Sequence, residues 1–200
     1  MEKNISRRDF LKKTAISSAA ITSLAACNEA VTKTADDREV GEMTYRQLGK
    51  DKVSLLGYGC MRWPFTKNDK GEDIVDQEKV NALVDYAIAH GINYFDTAPV
   101  YCRGLSEEAT GIALRRHPRD SYFIATKMST FGRELGEEQY EKTLEMYENS
   151  FKRLGVDTID YYLFHSVGGG GLDKLHRNLL DIGLLDYFMG EREKGRIRNL

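Results

Sequence analysis

Four residues of this 200-residue sequence have the types and spacing to move a proton: Asp96, Tyr101, Lys127 and His165. Three of them follow short β-type runs, Asp96 after 92–95, Lys127 after 122–126 and His165 after 159–164, and Tyr101 lies five residues past Asp96. A phenol ordinarily titrates near pH 10 and gives up its proton poorly at neutral pH. An ammonium beside it favours the phenolate, and a carboxylate holds that ammonium charged and in place. An imidazole can hydrogen-bond a carbonyl oxygen and orient it. Together they make a general acid for reducing a C=O group, with the hydride supplied by something else. Each residue alone has an ordinary explanation: a helix cap, a packed or solvated rim residue, a satisfied structural histidine. The joint pattern at successive strand ends carries the reading.

Those four residues need a scaffold that delivers strand ends side by side. Residues 44–46 and 53–55, around Gly49-Lys50-Asp51, predict a hairpin, and 55–60 a first longer strand. Asp76 caps a helix whose apolar positions Val80, Leu83, Val84, Ala87 and Ile88 follow the 3.6 period up to His90-Gly91. Ser106, Glu107 and Glu108 open the next helix, which runs through Ala109, Ile112 and Ala113. Residues 137–154 form the clearest helix, with Tyr140, Leu144, Tyr147, Phe151 and Leu154 in one stripe. Glu138 with Lys142, and Glu148 with Lys152, are spaced i,i+4 on its wet side. A helix within 172–194 and a strand opening at Ile197 complete the pattern.

Strands alternating with helices imply a parallel sheet, whose functional groups gather at the C-terminal strand ends. The repeat of roughly 30 to 40 residues gives residues 43–200 about four βα units and the start of a fifth. A closed (β/α)₈ barrel takes about 250 residues, so the expectation is an open sheet or a barrel cut short.

Lys and Arg total 29 against 31 Asp and Glu, a net charge of −2 that argues against nucleic-acid binding. Hydrophobic residues make up 41% and prolines number three, which fits a globular core and excludes a disordered chain. The three cysteines form no C-x-x-C pair, so neither a metal site nor a disulfide framework is expected. Cys60 and Cys102 fall on adjacent strand ends, and free thiols are expected there ahead of a disulfide. The glycine run 168–171 lacks the Lys-Ser/Thr of a phosphate loop and reads as a flexible connection.

Residues 1–27 have a different character. Ser6-Arg7-Arg8-Asp9-Phe10-Leu11-Lys12 before a short apolar run resembles a twin-arginine export signal. Leu24-Ala25-Ala26-Cys27 resembles a lipobox, with Cys27 the lipidated residue of a periplasmic or membrane-anchored protein. Residues 28–42 are polar without periodicity and read as a tether; residues 43–200 form the folded part.

The folded part resembles the aldo-keto reductases. The similarity lies in Tyr45-Arg46-Gln47-Leu48-Gly49, in Gly91-Ile92-Asn93-Tyr94-Phe95-Asp96-Thr97-Ala98, and in Tyr101 with Ser106-Glu107. It continues through Ala125-Thr126-Lys127, Ser150-Phe151-Lys152-Arg153-Leu154-Gly155 and Asp160 to His165. The resemblance implies an α/β fold, a (β/α)₈ TIM-type barrel closed at its base by the N-terminal hairpin and here cut after about four to five strands. It implies NADPH or NADH bound without a Rossmann glycine fingerprint, and a small carbonyl substrate. Tyr101 would be the acid, Lys127 and Asp96 its tuners, and His165 the carbonyl-orienting group. Asp96, Ser166 and Asn199 would contact the cofactor, most of whose site would follow Leu200. Relatives of the branch resembled often carry a four-iron–four-sulfur cluster after the barrel, again past Leu200. A chain of 200 residues is then expected not to turn over by itself, because half a barrel exposes two sheet edges. Two other readings are a non-catalytic member of the fold that binds a nucleotide or a partner, and a non-functional remnant.

Replacing Arg7 and Arg8 with Lys is expected to keep the protein in the cytoplasm without altering its fold, since a receptor reads the signal. Cell fractionation checks this, and unchanged export would refute the address. Cys27→Ser is expected to abolish membrane association in the same assay.

Overall fold

The computed structural model describes residues 41–129, 137–166 and 171–200. The twin-arginine string, the Cys27 lipobox, all but the last two residues of the tether, and glycines 168–170 lie outside the described residues. No helix among the described residues is long and apolar enough to cross a membrane.

Tyr45–Leu48 (β1) and Asp51–Ser54 (β2) pair as an antiparallel hairpin, with Tyr45 opposite Ser54. A parallel sheet follows, built from Tyr58–Gly59 (β3), Tyr94–Asp96 (β6), Phe123–Met128 (β7), Ile159–Phe164 (β8) and Ile197–Asn199 (β9) in that spatial order. Between β3 and β6 come a second hairpin, Phe65–Lys67 (β4) with Asp73–Val75 (β5), and the helix Gln77–Ala89 (α1). Ser106–Leu114 (α2) joins β6 to β7, and Glu137–Leu154 (α3) joins β7 to β8. Gly171–Leu175 (α4) and Leu184–Glu193 (α5) lie between β8 and β9. Five parallel strands with helical crossovers are the expected α/β architecture, part of a (β/α)₈-type barrel.

Two apolar clusters hold the helices against the sheet. Val80 and Val84 of α1, Leu114 of α2, Phe95 of β6 and Ile124 of β7 are fully buried together. Tyr147 of α3, Tyr162 of β8, Phe188 of α5 and Ile197 of β9 make the second. Each such side chain contributes about 1.5–3 kcal/mol on burial. The α3 stripe packs as its period requires, with Tyr147 and Leu154 at 0% exposure. Asp76 caps α1 by accepting from the Lys79 N–H at 3.1 Å.

Several details depart from the sequence expectation. Only Tyr58–Gly59 of 55–60 joins the sheet, because Leu55 and Leu56 swing outward and Cys60–Arg62 turns into a short 3₁₀ helix. The β4–β5 hairpin was not anticipated, although Asn68-Asp69-Lys70-Gly71 is a turn string. Asn68 Oδ1 accepts from the Lys70 and Glu72 N–H groups at 3.0 Å each. The single helix expected within 172–194 is broken at Gly183, whose φ is +73°. Ser106, Glu107 and Glu108 open α2 as expected, but the Ser106 hydroxyl makes no cap bond and donates to the Cys60 carbonyl at 2.7 Å. Glu107, beside it, is 1% exposed, accepting from Thr126 Oγ1 at 2.6 Å and facing Arg153 at 3.3 Å. Glu138 pairs with Lys142 as expected. Glu148 instead takes Arg196 bidentately at 2.6 and 2.8 Å, which ties the β9 approach to α3.

Gly111 sets how closely α2 meets α3. A Cβ there would lie 2.5 Å from the Leu154 carbonyl oxygen and 2.7 Å from the Leu154 Cα, backbone that cannot yield. Gly111→Ala is expected to cost about 1–3 kcal/mol as overpacking. Gly190 of α5 faces open space, so Gly190→Ala should be neutral or stabilising by up to about 1 kcal/mol. Urea midpoints of the two variants check the contrast.

Candidate active site

Strand register decides which side chains share a face. Asp96 lies opposite Ala125, and Lys127 opposite Leu163. Because side chains alternate with period two, Asp96, Lys127 and His165 point to one face near the C-terminal ends of β6, β7 and β8. Lys127 is 8% exposed. Its ammonium donates to Asp96 Oδ1 at 2.6 Å and to the Thr97 carbonyl at 2.7 Å. The same nitrogen stands 4.7 Å from the centre of the Tyr101 ring. The His165 ring meets Tyr101 edge-on, with centroids 5.7 Å apart. The structure therefore gathers all four residues into one cluster.

Tyr101 reaches the cluster on a tightly held loop. Thr97 Oγ1 lies 2.8 Å from Ser106 Oγ, which also donates to the Cys60 carbonyl, so the ends of β3 and β6 and the start of α2 are joined. The Tyr101 N–H donates to the Ala98 carbonyl at 3.1 Å. Cys102 and Arg103 then take left-handed backbone, φ +51° and +58°. The Cys102 thiol donates to the Met61 carbonyl at 3.2 Å and accepts the Trp63 N–H at 3.3 Å. Arg103 bridges to Asp73 of β5 at 3.2 Å and lies over the Phe65 ring. The unexpected hairpin thus braces the residue two places after Tyr101.

Cys60 and Cys102 are both free thiols. Burial pushes the Cys60 thiol up to about 12, so it stays protonated. Ser166 follows His165 in left-handed backbone, φ +58°, and is exposed beside the cluster. Asn199 does not join it. Its amide donates to the Asp160 carbonyl at 3.0 Å and to Asp51 Oδ2 at 3.2 Å, where Tyr161 also donates at 2.7 Å. It stands opposite Tyr161, roughly 13 Å along the strand from His165. One neighbour escaped sequence reasoning. Ser129 Oγ lies 2.7 Å from His165 Nδ1. Counting two onward from Lys127 along the same strand face would have found it.

Burial, and then the Lys127 charge, hold the His165 imidazole below the ordinary value of 6.5, with Asp96 opposing. His165 is accordingly neutral at pH 7, able to donate at one nitrogen and accept at the other. In the unfolded chain the same residue protonates at its ordinary value, so the unfolded state binds more protons below about pH 6.5. Stability should therefore fall as pH drops through that value, and His165→Gln should flatten the slope. Denaturant midpoints between about pH 5 and 8 measure it; identical slopes would contradict the burial.

The sequence profile of the aldo/keto reductase family matches residues 55–170. A Schizosaccharomyces pombe aldo-keto reductase [NADP(+)] is 31% identical over 133 residues, 62% of this chain and 37% of that protein. The NADH-specific methylglyoxal reductase of Escherichia coli is 31% identical over 132 residues, covering 59% of this chain and 40% of that protein. Among solved structures, the holo form of an aldo-keto reductase from Bacillus halodurans is 30% identical with a TM-score of 0.58, over 78% of this chain and 49% of that one. The chain spans 34–40% of the length of the curated relatives it matches. With its profile match, its parallel βα order and its relatives in agreement, the chain belongs to the aldo/keto reductase family.

Proposed function

We propose that the protein carrying this segment reduces aldehydes or ketones by hydride transfer from NADPH or NADH, with Tyr101 as the proton donor. The observation that carries this reading is the buried Lys127 ammonium, bonded to Asp96 and Thr97 and 4.7 Å from the Tyr101 ring. The residues present fit a nicotinamide ribose. Asp96 is a third exposed, and among the described residues nothing donates to its Oδ2. Asp96 and Ser166 would hold the cofactor, and a nicotinamide bound there supplies the hydride. Asn199 is left out of that set, since its amide is already engaged with Asp51 and Asp160.

His165 hydrogen-bonds the substrate carbonyl oxygen and fixes its direction. The Tyr101 hydroxyl donates its proton to that oxygen as negative charge develops there. The Lys127 ammonium stabilises the phenolate left behind, a charge–charge gain that a dry, strand-end setting enlarges. Asp96 and the Thr97 carbonyl keep the ammonium in place, and solvent returns the proton. We place this activity outside the cytoplasm on the strength of Arg7-Arg8, with Cys27 as the membrane anchor.

Tyr101→Phe should lower kcat by about 10²–10⁴ and leave the fold intact. Lys127→Met should be about as damaging. The double variant should resemble the single ones, because Lys127 then has no proton donor to serve. NADPH or NADH oxidation with an aromatic aldehyde and a quinone measures kcat and KM for each. A Tyr101→Phe enzyme within about threefold of wild type would move the acid elsewhere, and strictly additive losses would dissolve the coupled pair.

A further inference from the structure

Ser129 stands just past the end of β7 and is 3% exposed. Its hydroxyl has one hydrogen to give. Among the described residues two acceptors are near it: His165 Nδ1 at 2.7 Å and the Lys127 carbonyl at 3.5 Å. Were Nδ1 to carry the imidazole hydrogen, it would donate to Ser129. Among the described residues the serine O–H would then have only the Lys127 carbonyl, at the outer limit of a hydrogen bond. A buried O–H so poorly matched is costly, and burial keeps water from replacing the acceptor. Sending the serine hydrogen along the short contact removes that cost. The His165 N–H meanwhile donates to the Met128 carbonyl at 3.1 Å, so backbone and ring are both anchored to the end of β7.

We propose that Ser129 is a positioning residue that donates to His165 Nδ1 and thereby holds the imidazole as its Nε2–H tautomer. Nε2 then presents a donor. This assignment rests on the carbonyl-reduction reading for its consequence: a substrate carbonyl oxygen has lone pairs to offer and can use the Nε2–H alongside the Tyr101 hydroxyl. The opposite tautomer would present a lone pair to a lone pair and repel the substrate. The neutral state that tautomerism requires is supported by the burial of the ring and by Lys127, with Asp96 opposing. Ser129 touches neither substrate nor cofactor; it acts through His165.

The test is nitrogen-15 NMR of the uniformly labelled protein at neutral pH. The chain has four histidines, and His165→Gln identifies the resonances of His165. The wild type should show a protonated Nε2 and an unprotonated, hydrogen-bonded Nδ1. Ser129→Ala should convert this to a mixture of tautomers and lower kcat/KM for an aldehyde about tenfold. Ser129→Thr keeps the hydroxyl and should restore both. A wild-type spectrum with the hydrogen on Nδ1 overturns the proposal without any variant having to fold. So does a Ser129→Ala spectrum identical to the wild type. If the Nε2–H form is present, and lost in Ser129→Ala, but the full-length protein carrying this segment reduces no carbonyl, the positioning role stands and the reductase reading falls.

Discussion

The arrangement depends on one buried ammonium. Lys127 is nearly sealed from water, and an unpaired charge there would cost several kcal/mol. It is tolerated because β6 delivers a carboxylate and a carbonyl to it, at 2.6 and 2.7 Å. That delivery is a matter of register: Asp96 pairs with Ala125, and Lys127 follows two residues on, along the same face. Slipping β7 by one residue would turn Lys127 toward the helices, into the cluster that holds Ile124 and Phe95. The apolar face therefore enforces the pairing that the charged face uses.

Around that ion pair the backbone is held in unusual conformations. Among the described residues three non-glycine positions have left-handed φ: Cys102, Arg103 and Ser166. Two directly follow Tyr101 and the third directly follows His165. Such conformations cost about 1–3 kcal/mol each and persist only where the surroundings over-determine them. Here the Cys102 thiol is lodged against Met61 and Trp63, and Arg103 is gripped by Asp73 and Phe65. The strands supply the carboxylate, the ammonium and the imidazole. The loop supplies the phenol, and hydrogen bonds from three separate segments hold it against the ammonium.

The other face of the sheet does different work. The second apolar cluster and the Arg196 fork on Glu148 bind α3, α5 and β9 together, and through Met128 and Phe164 the cluster also backs the strand ends that carry Lys127 and His165. At the end opposite the cluster, Asp51 of the β2 strand collects Tyr161 and Asn199. Catalytic candidates and structural polar groups thus occupy opposite ends of the same strands, as the barrel family's layout separates them.

Much of this was legible in the residues. Short β-type runs sufficed to locate the strands carrying Asp96, Lys127 and His165, of which β7 and β8 are largely buried on both faces, and period-3.6 spacing sufficed for the α3 stripe, because burial of one helix face imposes that period whatever the neighbours are. Residue type and strand-end position sufficed to nominate the four site residues. Long-range partners were not legible. Glu148 reads as a surface partner of Lys152 until β9 brings Arg196 beside it, and Ser106 reads as a cap until β3 brings the Cys60 carbonyl. Asn199 has a type suited to a cofactor amide, but its face and depth follow from pairing with Tyr161, which no local spacing encodes. Ser129 shares the strand face of Lys127 by its spacing, but its partner was silent for the same reason. A serine acquires its role from the imidazole that a neighbouring strand, 36 residues later, sets 2.7 Å away. Local periodicity comes from the chain's own geometry and survives in the sequence. The partner of a polar group is chosen by tertiary packing, and only the folded structure records it.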